Sequence, residues 1–325
     1  MRRTHALLLT LGFLLPLSAA TNAVAQADKW PEKPVRVVVP YPPGGTTDIV
    51  ARLAAQLLTA ELREQFVIDN RAGAGGTVGA ASVAQAAPDG YTLLVMGSGF
   101  AANVALYKQL PFDPIKDLAP VATLTSSPLV LALSPAVQAT TLEQLIALAR
   151  AKPGTIHFGS AGNGSFPHLS AELFRQLAKI DVVHVPYKGD GPAITGLLSG
   201  QVQFLFASGP AVIPHFKSGR MRPLGVTTEQ RSAALPEVPA ISEVVPGYSV
   251  RTWFGMWAPG TTPRPIIAKL NQALGRALAQ PAVKEQLNAQ GMDPAHSSPE
   301  EFGQNIARDV AKWTGVVQIG NVKIN

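Results

Sequence analysis

Short runs of β-branched residues that end in a glycine-rich turn recur along this chain, and a helical pattern follows most of them. The first example is Val35–Val39, which leads through Pro40–Gly45 into a helical stretch that begins near Ile49. Strands and helices that alternate in this way form parallel sheets with helices on both faces. The repeat therefore predicts an α/β fold, and ligands in such folds bind beyond the carboxyl ends of the strands.

The same pattern predicts where the individual elements lie. We expect strands at Val35–Val39, Gln65–Asp69, Thr92–Met96, Leu129–Leu133, Ile156–Gly159, Val182–Val185, Val202–Phe206 and Pro223–Val226. We expect helices at Ile49–Leu62, Thr77–Ala86, Leu142–Ala149, Pro167–Leu177, Gly191–Leu198 and Val212–Ser218, and a helical tail at Pro263–Val317.

Polar glycine turns follow strands in both halves of the chain, at 70–76, 97–99 and 159–165. Turns of this kind at the strand ends of both halves indicate two lobes that face one cleft. We predict that the chain crosses between the lobes near Val121–Pro128 and again in the aromatic stretch Arg251–Pro259. The predicted organisation is a signal peptide at 1–27, a first lobe at 28–124 plus 253–325, and a second lobe at 125–252.

The first residues have the features of a secretory signal peptide. The basic start Met1–Arg3 precedes an apolar run at Ala6–Leu17, and small residues with two A-x-A cleavage options follow at Ala23–Ala27. The apolar run has 12 residues, fewer than the roughly 18 that a membrane-spanning helix needs. We therefore expect a cleaved peptide, and a mature protein that is exported to the periplasm.

Composition excludes several classes of function. The chain has no cysteine, so its stability must come from packing, which 46% hydrophobic residues make feasible. The formal charge is +6, or +4 after Arg2 and Arg3 are removed, and the basic residues are dispersed. Nucleic-acid binding is not expected without a basic patch. A mildly positive protein suits a small anionic ligand.

Motifs for catalysis or metal binding are absent from the sequence. No serine lies in a G-x-S-x-G motif, and no two histidines are four residues apart, as a zinc-protease motif requires. We therefore predict no catalytic residue, no metal and no cofactor. The alternative from another class is an exported hydrolase that uses Ser165 and His168.

The turn at Gly44-Gly45 is the first candidate for an anion-binding site. Paired glycines let the backbone approach a ligand closely, and the helix that follows has unpaired N–H groups and a partial positive charge at its start. Asp48 has two interpretations at this point. It either lies in the first helical turn because the dipole favours an acid there, or it orients donors around a bound ligand.

Several stretches, in this order along the chain, resemble the tripartite tricarboxylate transporter solute-receptor family, the Bug-type extracytoplasmic binding proteins. They are Trp30–Val35, Pro40–Asp48, Asp69–Gly76, Pro88–Leu94, Gly159–His168, Val185–Gly189, Pro223–Arg231 and Trp253–Gly255. The resemblance covers essentially the whole chain after the predicted signal peptide. It implies a two-lobed periplasmic-binding-protein fold, type II-like, with a mostly parallel sheet flanked by helices in each lobe.

The resemblance also implies a site and partners. Backbone and hydroxyl donors hold a small organic acid or acidic amino acid, which membrane permease subunits then receive; we expect a monomer. A receptor that presents its ligand to a membrane sensor kinase is the alternative. The residues that match the family's ligand clamps are Tyr41, Gly44, Gly45, Thr46, Thr47, Asp48, Ser98, Ser160, Gly162, Asn163, Ser165, His168, Tyr187 and Gly189.

Two departures from the family pattern concern the ligand. Where relatives often have acids in and after one strand, this chain has Gln203, Ala207 and Ser208. That loss should make the pocket more tolerant of anions, so Ser208 is a further candidate contact. Asp190 is the second departure. It either starts the helix at Gly191 or pairs with an amine of the ligand.

Overall fold

The computed structural model describes residues 29–107, 109–232 and 235–322. Within this part of the chain the strands form one six-stranded and one five-stranded sheet. The strands are β1 Val35–Val39, β2 Phe66–Asn70, β3 Thr92–Gly97, β4 Leu118–Ser127, β5 Leu129–Leu133, β6 His157–Ser160, β7 Val183–Pro186, β8 Phe204–Ser208, β9 Arg222–Val226, β10 Thr252–Pro259 and β11 Asp293–Pro294. The predicted signal peptide at 1–27 lies outside the described residues.

Helices cover both faces of the sheets, as the alternating pattern predicts. They are α1 Thr46–Leu62, α2 Thr77–Ala84, α3 Gly99–Leu106, α4 Leu142–Ala151, α5 Phe166–Ala178, α6 Asp190–Leu198, α7 Gly209–Lys217, α8 Arg264–Leu278, α9 Pro281–Ala289 and α10 Pro299–Gly320. Short 3₁₀ turns lie at Ala74–Gly76 and Ile241–Glu243. The arrangement is a mixed α/β fold with two lobes.

The six-stranded sheet has the order β11-β4-β10-β3-β1-β2. Strand β1 pairs in parallel with β2 and β3, whereas β10 is antiparallel to both of its neighbours, β3 and β4. Successive residues of β1 face opposite sides of the sheet. Val37 packs against the core that α1, α8 and α9 cover, and Val38 packs against the core beneath α2, α3 and α10.

The five-stranded sheet has the order β7-β6-β8-β5-β9. Strand β6 is parallel to β7 and β8, whereas β5 is antiparallel to β8 and β9. Residues of β5 alternate between two cores: Leu131 faces α4 and α5, and Val130 faces α6 and α7. Each sheet is therefore parallel on one side and antiparallel on the side where the chain crosses between lobes.

The chain passes from the first sheet to the second between Ser127, which ends β4, and Leu129, which begins β5. Ser127 pairs with Thr252 at the start of β10, and this part of β10 lies beside the carboxyl end of β3. Leu129 pairs with Ser208 at the carboxyl end of β8. Both sheets therefore adjoin the crossing by their carboxyl-terminal edges, and these edges face each other.

The last helix packs against both lobes. Near its start, Phe302 and Ile306 belong to the core of the six-stranded sheet. Near its end, Trp313 and Val316 belong to the core of the five-stranded sheet, and the Trp313 ring meets Phe166 edge-on at 5.1 Å between centroids. Helix α10 therefore bridges the lobes, which its apolar spacing alone does not reveal.

The observed elements differ from the predicted ones at several helix starts and in the tail predicted at Pro263–Val317. That tail is three helices, α8, α9 and α10, because Pro281 starts a new helix and β11 interrupts the segment before α10. Helix α1 begins at Thr46 instead of Ile49, because Thr46, Thr47 and Asp48 already have helical geometry after the glycine turn. Helix α3 was not predicted, since its short sequence is apolar apart from Asn103 and lacks an amphipathic period. Strand β4 was expected only as a crossing segment, yet it is a full strand of the sheet.

Candidate functional site

The predicted ligand-binding residues lie at the two facing edges. In the first sheet, Tyr41–Asp48 follow β1 and Ser98 follows β3. In the second sheet, Ser160 ends β6, Tyr187 follows β7 and Ser208 ends β8. Parallel strands end at the same edge, and β1, β2 and β3 are parallel to each other, as are β6, β7 and β8. Sequence positions far apart therefore meet along one cleft.

Asp48 organises the turn between β1 and α1. Its buried carboxylate accepts hydrogen bonds from Arg52 Nε at 2.9 Å, from the Gly44 N–H at 3.0 Å and from Asn70 Nδ2 at 3.0 Å. The hydrogen bond from Arg52, with those from Gly44 and Asn70, lowers the pKa of Asp48 to about 2. The carboxylate is therefore ionised and engaged by protein donors of the turn; that it orients donors around a bound ligand stays a prediction.

This arrangement changes which backbone donors of the turn are available. The Gly44 N–H bonds to Asp48, so of the two glycines only Gly45 is a candidate donor. Gly45 is the Ncap of α1, and no side chain caps the helix. A Cβ added at Gly45 would meet no atom within 4 Å, so the space beside this residue is open. The amides of Thr46 and Thr47, in the first helical turn, have no partner within the helix.

Tyr41 connects this turn to the turn after β2. Its hydroxyl donates to the Gly75 carbonyl at 3.3 Å, and its own carbonyl accepts from Asn70 Nδ2 at 3.1 Å. Asn103 Nδ2, on α3, also donates to the Gly75 carbonyl, at 2.5 Å. Burial, together with the neighbouring Tyr107, raises the pKa of Tyr41 to about 12. The phenol is therefore neutral and acts as a donor at physiological pH.

The opposing turn after β6 is held by Ser160. Its hydroxyl accepts from the Gly162 N–H at 3.1 Å and lies 2.6 Å from His184 Nε2. Gly162 has a φ of 131°, a conformation that favours glycine. A Cβ added at Gly162 would come within 3.2 Å of the Tyr187 carbonyl. The turn therefore needs glycine both for its conformation and for its close contact with the next strand.

His168 holds the same turn through a hydrogen bond to its backbone. The Gly164 N–H donates to His168 Nδ1 at 3.0 Å, so the ring is neutral and carries its proton on Nε2. The ring stacks on His184 with 3.7 Å between centroids. Burial, then the charge of His184, lowers the pKa of His168 to about 3, and burial lowers the pKa of His184 to about 4. The predicted direct contact of His168 with a ligand stays a prediction.

The Ser165–His168 spacing serves the helix in this geometry. Ser165 Oγ accepts a hydrogen bond from the backbone N–H of His168 at 3.4 Å, which makes Ser165 the Ncap of α5. The His168 imidazole bonds to Gly164 and does not approach the Ser165 hydroxyl as a general base would. This geometry gives the hydrolase alternative no support.

The remaining second-lobe candidates surround the start of α6. Gly189 is its Ncap, with a φ of 115°, and its N–H donates to the Ala161 carbonyl at 3.2 Å. Asp190 is exposed in the first helical turn, yet neighbouring protein desolvates it enough to raise its pKa. The Tyr187 ring lies beside Gly196 of α6, and its hydroxyl donates to Gln201, which follows that helix, at 3.2 Å.

Several helices begin at the facing edges without a side-chain cap. In the described part of the chain, α1, α3, α6 and α7 have the Ncap residues Gly45, Ser98, Gly189 and Ser208, none of which caps the helix through its side chain. Helix α5, capped by Ser165, is the exception at these edges. Uncapped helix starts present amide donors and positive dipole ends, so the edges together favour an anion.

Comparison with known proteins identifies the family. Residues 50–322 match the family described as tripartite tricarboxylate transporter family receptor. Protein BugT of Bordetella pertussis is 37% identical over 321 residues, which are 98% of each chain. The chain belongs to this receptor family. The recognition made from the motifs is thereby confirmed.

Solved structures of similar proteins confirm the fold of this receptor. An R. palustris protein with adipate is 35% identical, with a TM-score of 0.80 over 90% of this chain and 99% of that one. MatC from Rhodopseudomonas palustris with bound malate is 35% identical, with a TM-score of 0.75 over 89% and 100%. The periplasmic binding protein BugD is 31% identical, with a TM-score of 0.75 over 90% and 99%.

Sequence reasoning missed some residues that shape the receptor's site. Arg52 is four residues after Asp48 on one helix face, a spacing that indicates an ion pair and could have been used. Asn70 was interpreted only as part of a turn, although it connects the Tyr41 carbonyl to Asp48. His184 belongs to no sequence motif, and neither its hydrogen bond to Ser160 nor its stacking on His168 has a sequence signal.

Two features of the receptor's described residues bear on other classes of protein. Within them, no group of three or more His, Asp or Glu side chains could hold a metal ion. In the same residues, no helix has the length and the hydropathy that crossing a bilayer requires.

Proposed function

We propose that this chain is a periplasmic receptor that captures a small carboxylate-bearing metabolite and delivers it to a tripartite membrane transporter. The observation that carries the proposal is the convergence of uncapped helix starts on two facing sheet edges. Similar proteins with adipate and with malate support a dicarboxylate as the ligand. The signal peptide predicted at 1–27 would direct the chain to that compartment.

One carboxylate of the ligand would bind at the first-lobe turn. The Gly45 position is open, and the amides of Thr46 and Thr47 are not used by the helix. Asp48 would not repel the ligand strongly, because its charge is matched by Arg52 and its oxygens are turned toward Gly44 and Asn70. The backbone of the turn, and no cationic side chain, would therefore hold the first carboxylate.

The second carboxylate would bind at the turn after β6. Gly162 and the exposed Asn163 lie at this turn, which Ser160 and His168 hold in place. Asp190 would act as a specificity residue at the start of α6. Its raised pKa reduces repulsion of an acid, and an ionised Asp190 would favour a ligand with an amine.

Closure of the two lobes would bury the ligand and form the surface that the permease recognises. The lobes would run 28–124 plus 253–325 and 125–252, joined at the crossing next to Ser127 and Thr252. The ligand would select the closed state through contacts that only that state provides on both sides. The lobes would rotate about this crossing as they close. The hydroxyl groups of Ser127 and Thr252 form a hydrogen bond there, at 2.7 Å.

Thermal-shift and calorimetric titration with adipate and malate tests the proposal. A ligand at a hundred-fold excess over its dissociation constant stabilises the folded state by about 2.7 kcal/mol, which is visible as a shift in melting temperature. Acidic amino acids in the same series test the role proposed for Asp190. If no dicarboxylate, aromatic acid or acidic amino acid shifts the melting temperature, the proposal is wrong.

The Gly45→Val variant locates the site. The Gly45 backbone has φ −79° and ψ 168°, which valine can adopt, and an added Cβ meets nothing within 4 Å. The fold should therefore persist while the side chain blocks the approach of the carboxylate. We expect at least about a tenfold loss of affinity, or about 1.4 kcal/mol. The control is Gly315→Val, also in open space; an unchanged affinity in Gly45→Val would remove this turn from the site.

A further inference from the structure

A cavity lies where the lobes join, and its lining includes none of the predicted ligand contacts. It has a volume of about 510 Å³. Its walls come from the end of β4, from the segments that enter and leave the second lobe, and from α10; they include Ser126, Glu229, Ser249 and Arg251. None of the residues assigned to the carboxylate site lines it. Its walls are polar, unlike the apolar cores on either side.

Helix α10 has one face in the apolar cores and another in the polar cavity. Phe302, Ile306 and Trp313 are buried in the two cores. The polar residues on the other face of the helix line the cavity: Asn305, Arg308, Asp309 and Lys312. The polar face is therefore directed into the space between the lobes.

Two guanidinium groups in this cavity lack an acidic partner. Arg251 NH1 donates to Ser126 Oγ at 3.0 Å, and Arg308 NH2 donates to Asn305 Oδ1. Both acceptors are neutral. Within the described residues, neither arginine has a carboxylate at ion-pair distance, in contrast to Arg52, Arg175, Arg231 and Arg276. Each guanidinium has further donors for a ligand.

The acids of the cavity do not neutralise these arginines. Asp309 Oδ2 accepts from Trp253 Nε1 at 2.6 Å, and its Oδ1 lies 3.4 Å from Lys312 Nζ. Lys312 Nζ also donates to the Ser249 carbonyl at 3.2 Å. Glu229 is the other acid of the lining and is exposed. The three cationic side chains Arg251, Arg308 and Lys312 and the two acids Asp309 and Glu229 therefore give the cavity lining a formal net charge of +1.

We propose that this cavity binds a small oxyanion between Arg251 and Arg308. Guanidinium groups match the planar or tetrahedral oxygens of carboxylates and phosphates through paired hydrogen bonds. Thr123, Ser249 and Ser297 also line the cavity with neutral hydroxyl groups, of which the Ser297 hydroxyl already donates to Thr123 Oγ1 at 2.9 Å. The site is separate from the carboxylate cleft and does not depend on the proposed function.

The indole N–H of Trp253 provides a local reporter of this site. It donates to Asp309 within the cavity, whereas Trp30 lies in the core under α8. With ¹⁵N-labelled tryptophan, the full chain is titrated with inorganic phosphate at constant ionic strength, and Trp253→Phe assigns the signal. We expect a saturable shift of the Trp253 indole resonance and no shift for Trp30. If the Trp253 resonance moves no more than that of Trp30, the proposal is wrong.

Matched arginine variants test the assignment of the anion. Arg251→Gln and Arg308→Gln should each weaken phosphate binding by about tenfold or more, the effect of losing a charged hydrogen bond. Arg220→Gln removes the same charge from an arginine that, like Arg251 and Arg308, is exposed, but that contacts the His215 ring outside the cavity, and should change nothing. Equal loss in all three variants would indicate a general charge effect and contradict the site. Loss of the response in Gly45→Val would assign the phosphate to the cleft and also contradict it.

Discussion

At the scale of single residues, two side chains of the candidate site hold the backbone of its turns, and their predicted contact with a ligand stays a prediction. Asp48 holds the Gly44 N–H, and His168 holds the Gly164 N–H, in turns of opposite lobes. Both residues were predicted as ligand contacts from their motif positions. A family motif marks positions that matter to a site, but it does not distinguish a residue that binds from one that shapes the turn.

Replacing Asp48 tests this shaping role. In Asp48→Asn the buried group loses its charge, and Arg52 and the Gly44 N–H lose a strong acceptor. We expect the free energy of unfolding to fall by about 1–3 kcal/mol, as for other buried hydrogen-bonded groups. Urea unfolding measures this loss. Asp181→Asn, at an exposed position, should stay within about 0.5 kcal/mol of the wild type; similar losses in both variants would contradict the role of Asp48.

The stacked histidines predict how stability depends on pH. The pKa values of His168 (about 3) and His184 (about 4) lie below the unfolded value of 6.5. The unfolded chain therefore binds more protons below pH 6.5, so stability is complete above that pH and falls as the pH decreases. We expect a loss of roughly 1–2 kcal/mol per histidine between pH 7 and pH 5, smaller for half-buried His184, which solvent screens.

The variant His184→Phe separates this effect from general acid unfolding. Phenylalanine can stack on Phe158 and His168 but does not titrate, so the stability profile between pH 7 and pH 5 should be flatter than that of the wild type. Asp48 acts in a lower window: its pKa of about 2 lies below 3.8, so its contribution is lost only as the pH falls below about 4. Parallel profiles for the variant and the wild type would contradict the histidine effect.

At the scale of elements, glycines decide how closely helices approach strands. A Cβ added at Gly255 in β10 would lie 2.1 Å from Phe302 Cζ on α10. A Cβ added at Gly196 in α6 would lie 2.2 Å from the Tyr187 hydroxyl. Contacts of a Cβ are essentially never so short. Gly255 therefore needs to be glycine for packing against the buried Phe302 ring, whereas at Gly196 the end of the half-buried Tyr187 side chain would have to move. A pattern of apolar residues does not show these contacts.

The pair Gly255→Ala and Gly315→Ala tests the packing between β10 and α10. The first substitution should lower the free energy of unfolding by about 1–3 kcal/mol, because Phe302 must move within a filled core. The second lies in open space within α10, where alanine should raise it by up to about 1 kcal/mol. Chemical denaturation of both variants measures the contrast. A Gly255→Ala protein as stable as the wild type would contradict the close approach.

At the scale of the whole molecule, the lobes are connected by more than the two crossing strands. Helix α10 begins on one core and ends in the other, and Gln176 on α5 donates to the Val316 carbonyl at 3.2 Å. Trp313 is the largest side chain in this contact and is fully buried. Any closure of the cleft must therefore keep this helix in place or repack its second half.

Removing Trp313 tests how much the bridge contributes. Trp313→Ala should lower the free energy of unfolding by about 3–5 kcal/mol, the range for a large aromatic residue removed from a core. Ile319→Ala on the same helix is the control, because this side chain is 73% exposed and should change stability by at most about 0.5 kcal/mol. Equilibrium unfolding in urea checks both values. A loss below about 1 kcal/mol for Trp313→Ala would show that the bridge is not a stabilising contact.

The sequence by itself determined the α/β class, most strands, the glycine turns and the edges where the candidate residues lie. These features depend on local chemistry: β-branched runs, helical spacing and residues that permit unusual backbone angles. Only the tertiary structure decided that Asp48 meets Asn70, that His168 stacks on His184 and that α10 joins the lobes. Such contacts join residues that are distant in the chain, so their energy depends on packing that no local pattern encodes.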